Sequence, residues 1–516
     1  MRRKVLVGAL VASMLVLVPS APAASTRTAA PAPPPPQAVV TVRPVTRGRP
    51  VPSGFVGLSV EYRALLSYLG TNPSAINPVF VRLLKNLSPG QAPVLRVGGD
   101  STDWTWWPVP KMRQPPGITY DLTPTWLSVA RSLALATGAH YILGINLEAN
   151  IPKIETAETN ALVSGIGRPH VTALELGNEP ELYSKLGWYR QGSSYITGRP
   201  ANYDFDGFTR EFSSFRSAVS SVPVAGPSTG SFWWLTRLPQ FLAAEPRLGM
   251  VTVHSYWLNR CLKTPALPGY PTVAHLLNPH PPSRLAGALA RFAALAHGRG
   301  VPIRVDEMNS VTCGGEPGVS DVFASALWAL NALFEAASDG VDGVNIHTFP
   351  GTANQLFSFT NAAGHWAAAV RPEYYGLLMF AQAVPPGSKL LTLVQQHTGQ
   401  TRAWATVGRD GYTRIVLIND SLTQAGSALV RTSTVGEPAT LERLLAPGAS
   451  ATTGITIDGQ SFGTETQTGS LTGATSTLTL PAPTGPGPIA SYAVSMPAAS
   501  AALLTIPPRR RSPGRR

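Results

Sequence analysis

From Ala38 onward the chain alternates between short apolar runs and longer stretches in which apolar residues recur every three or four positions. The apolar runs lie at 55–62, 94–97, 141–147, 172–176, 222–225, 250–256, 303–305 and 343–347, and they read as strands buried on both faces. The helical patterns lie at 77–87, 124–137, 155–164, 208–219, 233–244, 284–297, 322–337 and 374–383. Continuous apolar strands joined by helical crossovers require a parallel sheet covered by helices. Eight strand–helix units over 51–384 predict an α/β fold of the (β/α)8 TIM-barrel type. An open doubly wound sheet is the competitor, but no glycine-rich phosphate fingerprint follows the first strand.

Past Ala383 the texture changes to Val, Thr, Gly and Ser in runs of period two, such as 390–395, 401–407, 412–418 and 500–506. These predict a C-terminal antiparallel β-sandwich over 385–507. The segment 38–50 begins with the same alternation and is expected to pair into that second domain.

Ahead of it, Arg2, Arg3 and Lys4 precede an apolar run and the small residues ending at Ala24, the three regions of a secretory signal over 1–24. The run is about 14 residues, short of the ~20 that span a bilayer, so a membrane anchor is the weaker reading. Residues 25–37 are rich in Pro and Ala and read as a stiff spacer, and 508–516 as a disordered basic tail. The expectation is a secreted, extracellular protein with no stable anchor after cleavage.

Composition changes this picture little. At 516 residues the chain exceeds one compact core, and 44% hydrophobic against 13% charged residues supports a large interior. The net charge of +13 suggests a nucleic-acid partner until it is located. Eight of those charges sit at the two ends, which leaves roughly +5 on the body and argues against nucleic acid. The two cysteines, Cys261 and Cys313, allow one disulfide or two unpaired thiols. No His or Cys spacing resembles a metal site, and no cofactor is expected.

Candidate chemistry comes from two strand ends. The fourth strand runs out at Gly177, Asn178, Glu179 and Pro180, where proline forbids further pairing, and the seventh delivers Glu307. Both fall on the C-terminal face, where barrel enzymes build their sites, on opposing sides of the mouth. Facing carboxylates there match the needs of glycosidic cleavage, with one protonating the leaving oxygen and the other attacking the sugar carbon. Glu175 is expected inside the barrel, paired with Arg96 or Arg304. Asp306 should point away from Glu307, and Glu181 should be solvated. His254 and His347 either line the sugar or fill the barrel. Trp104, Trp106 and Trp107 either stack on sugars or pack on the next helix, while Trp233 and Trp234 read as core.

The segments 176–180 and 313–321, with Glu307 and the Leu-Arg-Val-Gly-Gly-Asp run at 95–100, resemble glycoside hydrolase family 79, the β-glucuronidase and heparanase family of retaining barrel glycosidases. The resemblance runs over roughly 38–507. It implies a β-glucuronidase cleaving terminal, in one variant 4-O-methylated, glucuronic acid by double displacement, with a carbohydrate or glucuronide as partner. In it Glu179 is the acid/base and Glu307 the nucleophile. Asn178 holds the sugar 2-hydroxyl, Glu61 and Asp100 grip distal hydroxyls, and Tyr256 orients Glu307. Gly314 and Gly315 offer backbone N–H groups to the uronate. Cys313 stands where the family carries a tyrosine, so Tyr256 or His347 would have to compensate, or the pocket would take a neutral hexose. The alternatives are another retaining barrel glycosidase, of arabinofuranosidase or xylosidase type, and a non-catalytic carbohydrate-binding relative.

Overall fold

The computed structural model describes residues 37–508 except 220–221, 281–282, 398, 434–436 and 483–488. The expected signal and all of the spacer but Gln37 lie outside the described residues, as does the basic tail from Arg509. Among the described residues no helix is long and apolar enough to cross a membrane.

Eight parallel strands close into a barrel: β1 (Val56–Glu61), β2 (Val94–Gly98), β3 (His140–Ile145), β4 (Val171–Leu176), β5 (Val224–Thr229), β6 (Met250–Leu258), β7 (Ile303–Val311) and β8 (Val344–Thr348). Closure is explicit in the pairing of β8 with β1 and of β5 with β4. Strands β1 and β7 are buried along their whole length, as apolar strands between a filled barrel and a helical shell must be.

The helices start where local chemistry places them. Asn77 and Thr123 cap Pro78–Leu87 and Pro124–Thr137 with side-chain oxygens, and a proline occupies the first turn of each. The expected single helix at 233–244 is instead two, Phe232–Leu235 and Leu238–Ala244, with Pro239 in the first turn of the second. Trp233 corrects the sequence reading, being 65% exposed rather than core. Trp234 does pack, against Phe205 and Phe208.

The C-terminal strands join in one ten-stranded sheet, where the alternation had suggested the two sheets of a sandwich. The link is the N-terminal strand Ala38–Arg47, which pairs antiparallel with Lys389–His397 and parallel with Gly426–Thr432. Period two then sorts the side chains. In Thr413–Asn419, Ile415 and Leu417 join a core formed by the sheet alone, while Val416 and Ile418 join the barrel's core. The helix Phe323–Asp339 lies between the two layers and is buried nearly all round. Its Phe334 stacks on Trp404 at 5.6 Å, and Asn331 Oδ1 accepts from Trp404 Nε1 at 3.0 Å.

Candidate active site

At the end of β4 the chain turns at Gly177 (φ 76°), where a Cβ would come within 2.4 Å of the Tyr183 hydroxyl. Two residues on, Glu179 itself adopts a left-handed backbone (φ 47°), and its N–H donates to Ser228 O on β5 at 2.8 Å. A non-glycine residue in this region is strained, and here the strain aims a side chain across the mouth.

Strand β7 departs from strict alternation. Val305 faces Val253 and Glu307 faces His254, so Asp306 is an extra residue opposite β6. The bulge overturns the expectation that Asp306 points away. Its Oδ2 lies 3.7 Å from Arg96 Nε inside the barrel, and Glu307 reaches the same guanidinium one residue later. One carboxylate oxygen each of Glu179 and Glu307 lie within 4.8 Å of one another.

Arg96, wholly buried on β2, ties these groups together. Its Nε donates to Glu175 Oε2 at 2.8 Å, one terminal nitrogen to Glu307 Oε2 at 2.5 Å and the other to Asn178 Oδ1 at 2.8 Å. Of the two partners considered for Glu175, Arg96 is the one found. Arg304 turns to the other end of the barrel, where it donates to the carbonyl of Gly54. A buried guanidinium needs acceptors, and Glu175, Glu307, Asn178 and Ser59 supply them.

The electrostatics follow from that burial. Desolvation opposes a charge on Glu307, yet His347, His254 and Arg96 outweigh it and hold its carboxyl well below the usual range. The Tyr256 hydroxyl adds a 2.7 Å hydrogen bond to Oε1. Burial and Arg96 disfavour a charged His254, but Glu307, Glu179 and Asp306 prevail and push its imidazole up to about 10. Its Nδ1 sits 3.0 Å from Glu179 Oε1. Asp306 is pushed far up by burial and then by Glu175, which is itself held low by Arg96. Arg96 and His254 therefore lie against the carboxyl groups of Glu175, Asp306 and Glu307, with burial favouring the protonated form of Asp306 and the neighbouring cations favouring the charged forms of Glu175 and Glu307.

The other expected residues gather at the same mouth. Glu61 Oε2 accepts from Ser101 N at 2.8 Å, and His347 lies between Glu61 (3.8 Å) and Glu307 (3.7 Å). Asn178 Nδ2 points to Asp100 Oδ1 at 3.4 Å. Gly314 and Gly315 are both left-handed, and a Cβ on Gly315 would meet Asn354 Oδ1 at 2.4 Å. The Gly315 N–H donates to Thr312 O at 3.3 Å, whereas that of Gly314 has no partner among the described residues. Cys313 and Cys261 are free thiols with sulfurs 3.8 Å apart.

Glu181 is a further correction. It is buried rather than solvated, because Oε1 accepts from Gly230 N at 2.9 Å, and burial with the nearby Glu179 pushes it up to about 7. Asp103 was missed altogether. Its carboxylate accepts from the N–H groups of Leu147, Glu148 and Asn178 and from the Tyr183 hydroxyl at 2.7 Å, pinning the ends of β3 and β4. Its one signal was a second acid three positions after Asp100. Trp106 is buried and donates to Asp121, so it packs rather than presenting a sugar platform.

Glu175, His254 and Asp306, and equally Glu179, His254 and Glu307, bring potential ligand atoms within 4.8 Å. The Arg96 guanidinium and a charged His254 already supply the cations at those carboxylates, which makes either group a poor metal cradle.

Residues 403–503 match the family model described as glycosyl hydrolase family 79 C-terminal beta domain. A β-glucuronidase of Aspergillus niger is 23% identical over 470 residues, covering 81% of this chain and 84% of the relative. One from Neurospora crassa is 22% identical over 510 residues, covering 83% and 87%. Among solved structures, a 4-O-α-L-rhamnosyl-β-D-glucuronidase from Fusarium oxysporum superposes with a TM-score of 0.66 at 19% identity, over 90% of this chain and all of that one. An α-L-arabinofuranosidase from Thermotoga maritima gives 0.63 at 16% identity, over 91% and 99%.

Proposed function

We propose that this chain, which belongs to glycoside hydrolase family 79, cleaves terminal β-linked glucuronic acid from its conjugates with retention at the anomeric carbon. The observation that carries this reading is the approach of Glu179 and Glu307 to within 4.8 Å across the barrel mouth. Retaining glycosidases hold their two carboxyl groups about 5–5.5 Å apart, and inverting ones leave room for a water between them.

Glu307, ionised and oriented by Tyr256 and Arg96, attacks the anomeric carbon while Glu179 gives its proton to the departing oxygen. A covalent glycosyl–enzyme ester results. Glu179, now a base, takes a proton from water, which attacks the same carbon and releases the sugar with its original configuration. Asn178 has its oxygen engaged by Arg96, so its Nδ2 is the group left to donate to the sugar 2-hydroxyl as positive charge develops on the ring. Glu61 and Asp100 take the distal hydroxyls.

The C-terminal sheet is read as folded over on itself into a sandwich, since its inner core is composed of residues from that sheet alone. The basic and apolar N-terminal run supports export.

A panel of aryl glycosides tests the activity. The β-glucuronide should be turned over in preference to the β-glucoside, with the β-anomer of glucuronate released first by NMR. Faster hydrolysis of the glucoside, or release of the α-anomer, would contradict the proposal.

A further inference from the structure

Arg63 follows β1 by two residues, Phe349 stands two past His347 beyond β8, and Trp104 lies four past Asp100 beyond β2. Each is thus the rim neighbour of a residue assigned to the sugar pocket. The three meet. The Arg63 guanidinium carbon lies 4.7 Å from the centre of the Phe349 ring and 5.2 Å from that of Trp104. Arg63 is exposed and both rings are half-buried.

The backbone on which they stand is pinned. Tyr62 N donates to Ser101 Oγ at 2.8 Å, Ser101 N to Glu61 Oε2 at 2.8 Å, and the Trp126 indole to Tyr62 O at 3.0 Å. Trp104 O accepts from Thr119 and Tyr120, and Phe349 O accepts from Thr352 Oγ1 at 2.8 Å.

Arg63 also has its charged edge free of any carboxylate of the described residues. Arg96, Arg199, Arg237 and Arg260 each have a carboxylate partner, whereas Arg63 is within ion-pair distance of none among the described residues. A guanidinium clasped by ring faces keeps its N–H edge open, and that edge matches a carboxylate. The expected uronate donors fall short of the need. The Gly315 amide is engaged by Thr312, Cys313 brings no phenol, and one backbone N–H, that of Gly314, remains. The segment 349–354 connects the two places, since Thr352 bonds Phe349 O while Asn354 N donates to Gly314 O at 3.1 Å.

We propose that Arg63, held between Trp104 and Phe349, is the binding site for a carboxylate of an acidic sugar, acting with the Gly314 amide. This rests on the reading of the chain as a β-glucuronidase and names the group that recognises the acid. The carboxylate is that of the terminal uronic acid being cleaved.

The test compares wild type with Arg63→Met and Arg63→Lys on an aryl β-glucuronide and an aryl β-glucoside. Loss of one charge-assisted bond predicts a drop of about tenfold or more in the ratio of acidic to neutral kcat/KM for Arg63→Met, partly recovered in Arg63→Lys. A drop on the glucuronide with the glucoside rate kept assigns the carboxylate of the cleaved sugar to Arg63. Equal losses on both substrates, or none, overturn the proposal. Calorimetric titration of wild type and Arg63→Met with free glucuronate provides a second arm independent of turnover. If wild type fails to hydrolyse the glucuronide, the functional reading falls by itself, and equal glucuronate affinity in the two proteins still overturns the role of Arg63.

Discussion

Arg96 donates to Glu175, Glu307 and Asn178 from a fully buried position, so the proposed nucleophile, the proposed 2-hydroxyl ligand and a buried carboxylate are held by one cation. Replacing it with Met strands two buried carboxylates and is expected to cost about 3–5 kcal/mol of stability, read from chemical unfolding, together with activity. Glu307→Gln should abolish turnover of an aryl β-glucuronide, and retained activity would move the nucleophile elsewhere. Glu179→Ala should lower rates on poor leaving groups far more than on activated ones, and equal losses would contradict its acid role. Glu181 carries a pH prediction. Its carboxyl is raised from 4.5 to about 7, so folding favours its protonated form. Its contribution is fully present below about pH 4.5 and is lost as pH climbs through about 7. Glu181→Gln, which still accepts from Gly230, should therefore gain stability relative to wild type at pH 8 but not at pH 4, by up to roughly 3 kcal/mol. Thermal unfolding at both pH values measures it.

At the scale of elements, the bulge in β7 does what regular alternation cannot, turning two consecutive acids into one barrel interior. Asp306 there can stay neutral beside Glu175 while Glu307 stays charged. The turn after β7 makes a separate demand, because Gly315 is left-handed with Asn354 against it. Gly315→Ala should displace this turn and raise KM for the glucuronide at least severalfold, with a smaller effect on a glucoside. Equal effects on both would detach the turn from recognition of the acid.

At the scale of the molecule, the N-terminal strand lies inside the C-terminal sheet. Ala38–Arg47 fills a position between Lys389–His397 and Gly426–Thr432, so the first and last strands of the described residues share one sheet packed against the barrel. Deleting residues 38–47 would expose both partner strands as unpaired edges, and the expected result is aggregation or a sharply lowered Tm even though no site residue is removed. A soluble, fully stable deletion variant would show the sheet to be independent of that strand.

The order of eight strands and their crossovers, the change of texture past Ala383 and the placing of Glu179 just past the end of β4 were legible in the sequence, whereas Glu307, expected at a strand end, lies inside β7, which runs on to Val311. Hydrophobic periodicity is a local property, and a closed barrel turns strand number directly into position around its mouth. The burial of Glu181, the inward turn of Asp306, the exposure of Trp233 and the clamp at Asp103 were decided by tertiary structure alone. Each depends on an atom contributed by a distant segment, such as Gly230 N or Tyr183 Oη, or on a one-residue slip in register, and neither leaves a trace in the spacing of residues along the chain.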